Sequence, residues 1–535
     1  MARNRGRGAR APSMGAESQF KSALFLDRLH PTPLYPHEPM TGTNNSSTKL
    51  VRGLGRLDAT MIVVGSMIGS GIFITSAESA RLVGAPGWLL MAWALAGLLT
   101  ITGALCCAEL AAMMPRAGGQ YVFLREAYGQ ALGFLFGWSL ILVIQTGTIA
   151  AVAVAFARFL GVLWPTVSEG NYLVAPVHIG AGYALSLSTA QLVAVLLILF
   201  LTLTNITGLK TGKLIQNTFT FTKTAALAGL IIAGLVLGWN SQSSAYTSAW
   251  WDSWANGWNP QVAQPGMETV GALALVMLLG RAMTGPLFAQ SAWNNVTFAG
   301  GEIREPGRTL PRALLIGCGL VVLLYLLANL AYVVTLPLPV IQRPTNSIAT
   351  ATMEVALGSV GTVLMAIAIM ISTFGCNNGL ILAGARVYYA MAIDRLFFAR
   401  VGRLNSKHVP AVALVLQGIW ASVLTLPRTV TIDAAGAPSY GNVYTQLLEY
   451  IIPADLVFYV LMVGAVIVMR RKAPLAERPY RTFGYPVVPG IYILLASLLT
   501  FDLIYLAPRT SGIGFLLVLT GLFAFLIWRK RTLGK

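Results

Sequence analysis

Apolar runs of roughly 20 residues recur along the whole chain, each long enough to cross a hydrocarbon core of about 30 Å as a helix. Twelve spans are expected near 58–83, 87–113, 129–161, 188–208, 212–238, 268–298, 311–336, 357–383, 410–426, 441–469, 486–507 and 511–529. This pattern predicts an all-α, multi-pass membrane protein with 12 transmembrane helices. Of the 535 residues 56% are hydrophobic and only 10% charged, against about 25% charged in an ordinary soluble domain. The mean hydropathy of +0.69 excludes disorder for most of the chain. Uninterrupted apolar runs also exclude an outer-membrane barrel, whose strands alternate apolar with polar residues.

A formal charge of +18, from 37 Lys+Arg and 19 Asp+Glu, raises nucleic acid as a partner, and its distribution removes that reading. Thirty basic residues fall before the first span, in alternate loops and after the last span, whereas Arg81, Arg343, Arg428 and Arg509 fall on the other side. The positive-inside rule then places both termini in the cytoplasm. The basic excess is topology and contact with anionic lipid, with no role for nucleic acid. Cys106, Cys107, Cys318 and Cys376 lie in apolar segments, and His30, His37, His178 and His408 lie outside them. Neither set has the spacing of a disulfide framework or a metal site, so no metal and no cofactor is expected.

Residues 1–50, with Arg3, Arg5, Arg7 and Arg10 and no signal-peptide core, read as a disordered cytoplasmic tail. One twelve-helix domain over 51–530 and a short cytoplasmic tail at 531–535 follow. Asp58 reads as the N-cap of the first helix, and Pro311 suits the first turn of the seventh. Trp239, Trp250, Trp251, Trp254 and Trp258 crowd the loop after the fifth span and read as interfacial anchors. Gly129, Gly133 and Gly137 form a packing face on the third span.

Two spans carry soft points. The first holds Gly65-Ser66-Met67-Ile68-Gly69-Ser70-Gly71 near its middle, which suits either close helix packing or a break. The sixth holds Gly285-Pro286 and then Gln290-Ser291-Ala292-Trp293-Asn294-Asn295; Pro286 removes a helical hydrogen bond, and the polar side chains would be costly facing lipid. Interruptions five helices apart fit two inverted five-helix repeats plus two C-terminal helices, with a binding site between the breaks. Amides freed at half-helix N-termini attract a carboxylate, and carbonyls at half-helix C-termini attract a cation or ammonium. A zwitterion with both groups on one carbon fits.

Gly69-Ser70-Gly71-Ile72-Phe73 resembles a motif of the amino acid–polyamine–organocation (APC) superfamily permeases, especially their L-type amino-acid transporter branch. Three later stretches, Ala108 to Tyr121, Glu302 to Ala313 and Arg478 to Pro489, resemble further motifs of that family in the right order. The resemblance covers roughly 49–530 and implies a 5+5 inverted repeat of LeuT type, with helices 1 and 6 broken. It further implies that Ile68, Gly69, Ser70 and Gly71 present amides and a hydroxyl to the substrate carboxylate. Phe288, Ala289 and Ser291 would face the amino group, with Phe288 as a gate. Ala292 stands where a glycine commonly precedes the tryptophan, an added methyl that bears on the size of substrate admitted, and Gly301 stands where an acidic residue often precedes Glu302. No cysteine lies in the loop after the third span, where animal L-type transporters are tied to a heavy subunit. A stand-alone, prokaryote-like transporter with no disulfide-linked heavy subunit is implied, in a cell membrane such as the bacterial inner membrane.

Lys223 lies 11 residues past Gly212, about 16 Å along the fifth helix and close to mid-membrane. A charge there costs roughly 2.5–3.5 kcal/mol and calls for a partner or a function. A structural ion pair is one reading. By resemblance the lysine approaches the broken first helix and stands in for a sodium ion, with Ser372, Thr373 and Asn378 of the eighth span joining it. Glu109 is expected to pair with a nearby arginine as a gate or a structural contact. Asp455, after Pro453 in the tenth span, is a candidate proton site. Arg281 lines the outer vestibule or binds lipid.

Together these features read as a sodium-independent secondary amino-acid transporter that works by alternating access and exchanges neutral L-amino acids. The alternatives are a proton-coupled symporter, a cationic amino-acid or polyamine permease and, in a different class, an amino-acid sensor. A channel would want a filter or rings of charge, and an enzyme a base beside Ser70; the sequence offers neither.

Overall fold

A computed structural model of the chain describes residues 50–179, 182–343, 347–432, 438–441, 443–506 and 508–533. The expected N-terminal tail lies outside them except for Leu50, and the expected C-terminal tail is helical to Leu533. The first span is α1 (Arg56–Met67), α2 (Gly71–Ile74) and α3 (Ser76–Val83), followed by α4 (Pro86–Met113) and the short α5 (Gln120–Tyr128). Next come α6 (Gln130–Leu163), α7 (Thr189–Ile206) and α8 (Leu209–Leu237). The sixth span is α9 (Ala272–Ala282), α10 (Thr284–Ala289) and α11 (Asn295–Phe298). The chain continues through α12 (Pro306–Thr335), α13 (Ile348–Leu357), α14 (Ser359–Ile393), α15 (Ala411–Val423), α16 (Val443–Lys472), α17 (Val487–Leu506) and α18 (Pro508–Leu533).

Among the described residues eleven helices are long and apolar enough to cross a membrane, which makes this a multi-pass membrane protein. The expected ninth span is the exception: α15 has 13 residues, about 20 Å of helix and short of a full crossing. Large apolar side chains such as Leu196, Phe200 and Leu203 on α7 and Leu498, Phe501 and Tyr505 on α17 stay exposed. On a soluble protein such a face would drive association; here it is where lipid belongs.

Helix ends follow local chemistry. Gly55, not Asp58, caps α1: Asp58 sits one turn in, and its Oδ2 accepts from the Gly55 amide at 2.8 Å. Lys213 of α8 pairs with the same carboxylate at 2.6 Å. The seventh span starts at Pro306, leaving Pro311 inside α12, because a proline already occupies the first turn, where a missing N–H costs nothing. The eighth span runs to Ile393, ten residues beyond the expected 383. Arg386, which reads as a loop residue, is buried within it and paired with Glu302.

The long loops hold a four-stranded antiparallel sheet that the sequence reading does not anticipate: β1 (Tyr172–His178), β2 (Tyr183–Ser188), β3 (Pro427–Ile432) and β4 (Pro438–Tyr440). The tryptophan-rich loop is more than an interfacial anchor. Trp258 is buried and donates from Nε1 to Leu82 O at 3.0 Å, the Ser253 hydroxyl donates to Val83 O at 2.6 Å, and the Gly87 amide donates to Trp250 O at 2.9 Å. The loop therefore caps the ends of α3 and α4, while Trp239, Trp251 and Trp254 remain exposed. On the third span Gly133 packs against Arg125 and Gly137 against Met391, whereas Gly129 is the link between α5 and α6.

Candidate functional site

Both soft points are breaks. α1 ends at Met67, Ile68 is extended (φ −74°, ψ 94°), and α2 restarts at Gly71. In the sixth span the missing N–H of Pro286 leaves Ala282 O without its helical donor. The Ser79 hydroxyl fills that vacancy at 2.7 Å. After Ala289 the chain leaves helical geometry and restarts at Asn295. The breaks touch: a Cβ added to Gly71 would lie 2.6 Å from Ala289 Cβ. Only glycine permits that approach.

The carbonyl end of α1 is saturated by side chains from three other helices. Lys223, fully buried on α8, donates from Nζ to Gly65 O at 2.5 Å and Ile68 O at 2.6 Å, with Ser372 O at 3.4 Å. From α14, the Ser372 hydroxyl lies 3.1 Å from Gly69 O and 3.3 Å from Ile68 O, and Cys376 Sγ donates to Ser66 O at 3.2 Å. From α12, Tyr325 Oη donates to Met67 O at 2.9 Å and sits 3.3 Å from Ala289 O. One phenol thus spans both breaks.

Of the residues expected around Lys223, Ser372 is there and two are not. The Thr373 hydroxyl bonds back to Ile369 O at 2.8 Å within its own helix. Asn378 bonds Asn205, Gly212 O and Gln216 instead. Ser70, Phe288 and Ala289 are buried at the breaks, and Ser291 Oγ donates to Phe288 O at 2.8 Å.

Two small adjoining clefts open beside the sixth-span break, and Ser291, Asp455 and Tyr459 line both. Gln290, Trp293 and Tyr492 complete the first; Ala292, Asn294 and Asn295 belong to the second. Ala292 adopts φ +63°, the left-handed region that disfavours a residue with a Cβ. Its methyl therefore stands in a glycine conformation beside the cleft. Arg281, in the last turn of α9, contacts Gln264.

The other motifs gather at one end of the bundle. Gly118 donates to Phe298 O at 2.9 Å, and Gly119 lies against Thr297. Glu302 accepts from Arg386 Nε and Nη2 at 3.0 and 3.1 Å. Its backbone joins that of Arg304 in a short bridge to Leu54. Glu109 accepts from Arg470 at 2.8 and 2.7 Å and from the Thr482 amide at 2.7 Å, with Arg478 at 3.4 Å, so the expected arginine pairing is present.

Tyr325 and Arg386 went unread in the sequence. Tyr325, Asn329 and Tyr332 fall on one stripe of an otherwise apolar helix. All three are buried, and they bond Met67 O, the Ser76 hydroxyl and Ile72 O respectively. That polar spacing was the available signal. Among the described residues no group of three or more His, Cys, Asp or Glu could hold a metal ion, and the four cysteines are free and buried.

The family described as amino acid permease matches residues 54–527. Among similar proteins, the human large neutral amino acids transporter small subunit 2 is 30% identical over 487 residues, 90% of this chain and 81% of that protein. The serine/threonine exchanger SteT of Bacillus subtilis (strain 168) is 28% identical over 492 residues, 90% of this chain and 98% of that protein. The human b(0,+)-type amino acid transporter 1 is 28% identical over 478 residues, 87% and 84% of the two chains.

Proposed function

The chain belongs to the amino acid permease family, and from that premise we propose that it is a sodium-independent amino-acid exchanger working by alternating access on neutral L-amino acids. The observation that carries the reading is the meeting of the two breaks at Gly71 and Ala289, with clefts opening at Ser291. Amides around Ile68, Gly69, Ser70 and Gly71 take the substrate carboxylate, while Phe288, Ala289 and Ser291 surround its ammonium. Lys223 supplies the fixed positive charge that other transporters obtain from a bound cation, with Ser372 beside it; Thr373 and Asn378 support the same helix from other faces. Phe288 acts as a gate over the site. The protein is a transporter and not an enzyme.

The excess of basic residues on one side supports cytoplasmic termini, in a cell membrane of bacterial inner-membrane type, with residues 1–50 and 531–535 as tails. The loop after the third span lacks cysteine, which supports function without a disulfide-linked subunit.

The test is counterflow in proteoliposomes preloaded with unlabelled amino acid. Saturable uptake of labelled neutral amino acid, dependent on internal substrate, is expected; its absence in a monodisperse preparation refutes the reading. A second reading, proton-coupled symport, draws on the carboxylate of Asp455 lining both clefts. It predicts accumulation driven by an inward proton gradient and abolished by a protonophore.

A further inference from the structure

α12 carries a polar stripe in an apolar sequence: Tyr325, Asn329 and Tyr332 stand at i, i+4 and i+7, on one face of the helix. All three are fully buried, and each bonds the first span. Tyr325 Oη donates to Met67 O at 2.9 Å, where α1 ends. Tyr332 Oη donates to Ile72 O at 3.2 Å in α2, and Asn329 Oδ1 accepts from the Ser76 hydroxyl at 2.7 Å, where α3 begins. Of the three, Tyr325 also reaches the sixth span, 3.3 Å from Ala289 O at the end of α10.

The two oxygens it touches end the helical segments that meet at the site. Ile68 to Gly71, given above to the substrate carboxylate, directly follow Met67, and Ala289 belongs to the set given to its ammonium. The separation of the two stretches therefore sets the spacing of carboxylate and ammonium that the site accepts. Lys223, Ser372 and Cys376 bond carbonyls of the first break and hold its shape; Tyr325 bonds one carbonyl in each. A phenol has one proton, so it donates to the nearer Met67 O and shares that proton with Ala289 O as the longer arm of a three-centre bond. Trp93 of α4 packs edge-on against its ring at 5.6 Å and 88°, which fixes the point from which the hydroxyl reaches. Gly71 lets the breaks come together, and the phenol limits how far they part.

We propose that Tyr325 is a positioning residue that determines specificity: by bonding a carbonyl in each break it holds them at the separation of an α-amino acid, in which one carbon carries both charged groups, and so disfavours β-amino acids. This rests on the transporter reading above and names a selection made at the same site. In a β-amino acid one further carbon–carbon bond, about 1.5 Å long, separates the two groups. The breaks then have to part, and the shared hydroxyl resists that. With phenylalanine at 325 the ring stays, Met67 O and Ala289 O lose this donor, and the longer backbone is admitted at lower cost. Tyr332 is the matched comparison, since it has the same side chain on the same face and is equally buried, but it bonds Ile72 O beyond the break.

The experiment is counterflow of radiolabelled L-leucine in proteoliposomes with the wild-type protein, Tyr325→Phe and Tyr332→Phe, inhibited by unlabelled L-leucine or by β-leucine, the isomer whose ammonium sits one carbon further from the carboxylate. The readout is the ratio of the two inhibition constants within each preparation, which is insensitive to how much of a variant is folded. The wild type should favour L-leucine, and Tyr325→Phe should narrow that preference about fivefold, the scale of one neutral hydrogen bond. Tyr332→Phe should leave it unchanged. If Tyr325→Phe exchanges too slowly to read, the rises in Tm that the two compounds give the purified protein supply the comparison. An unchanged preference in Tyr325→Phe, even with exchange reduced, overturns the proposal and leaves the phenol a structural bond. Equal narrowing in Tyr332→Phe overturns it too, because the stripe then acts by general loosening, and so does equal inhibition of the wild type by both compounds. If the wild type exchanges no leucine, the reading of neutral exchange has itself failed and this inference falls with it.

Discussion

Replacing Lys223 with alanine removes the ammonium that holds the carbonyl end of α1. Two of its bonds are short, 2.5 Å to Gly65 O and 2.6 Å to Ile68 O, and a hydrogen bond to a charged group contributes about 1.5–3 kcal/mol. The gross loss is therefore about 3–6 kcal/mol, offset in part because a charge no longer has to be buried. Ile68 O keeps the Ser372 hydroxyl at 3.3 Å, whereas Gly65 O loses its side-chain donor. A net change of about 2–3 kcal/mol in holding the substrate-ready break corresponds to a fall of about 30- to 150-fold in substrate affinity or exchange rate. The apolar spans and basic loops are untouched, so the variant should still insert as a monodisperse protein. Lys223→Met, which keeps the stem and drops the charge, separates lost packing from lost bonds and should be impaired nearly as much. The assay pairs exchange in proteoliposomes with the substrate-induced rise in Tm of the purified protein. Monodisperse Lys223→Ala with wild-type exchange and an unchanged Tm response would refute the reasoning and leave the lysine a filler of space.

Ser291→Trp should abolish counterflow by filling the cleft beside the break, and preserved uptake would remove Ser291 from the substrate path. Phe288→Ala should reduce flux more than equilibrium binding if the ring is a gate, a split read by running both measurements on one preparation. Ala292→Gly relieves a left-handed residue at φ +63° and should stabilise the protein by about 1 kcal/mol, visible as a higher Tm, while admitting bulkier side chains. Breaking the Arg386–Glu302 pair by replacing either partner alone should cost about 3–5 kcal/mol, because the other charge stays buried. Arg386→Met combined with Glu302→Leu should recover much of that, which a double-mutant cycle on Tm would check. Uptake should not change when sodium is exchanged for choline, and sodium stimulation would contradict the role given to Lys223.

Hydropathy located most of the helices because desolvation in a bilayer leaves helix as the only spanning choice for an apolar run. It fell short where a partner distant in the chain decides the outcome. Arg386 looks like the start of a loop until Glu302, 84 residues earlier, neutralises it, and then α14 runs on. β2 shows alternation, but its pairing with β3 joins Tyr183 to Thr429, a separation that local pattern cannot reveal. At the site, the need of Lys223 for buried partners and the two soft points were legible from position alone. Which α14 residues meet the first break was not, because it depends on helix rotation. Cys376, four residues past Ser372, shares its face at about 40° offset, whereas Thr373 and Asn378 are turned away by about 100° and 240°. The residue that completes the set is therefore Cys376, a side chain that composition arguments treat as apolar filler.

The arrangement at α1 also explains why a fixed lysine and a mobile cation are alternatives. Carbonyls at a half-helix C-terminus attract one positive charge, and here Gly65 O and Ile68 O already face the Lys223 ammonium. A sodium ion placed about 4 Å from that ammonium would be repelled by about 4 kcal/mol at an effective dielectric of 20, and it would find its oxygen ligands occupied. Because the charge is covalently attached, it neither loads nor leaves during the cycle, so a sodium gradient can do no work through this position. Accumulation must then come from a counter-substrate or from a group that does change charge. Asp455, which lines both clefts beside Ser291, is a group of that second kind. The ammonium at Gly65 O and Ile68 O therefore holds the end of α1 without changing charge, and coupling is left to groups elsewhere in the protein.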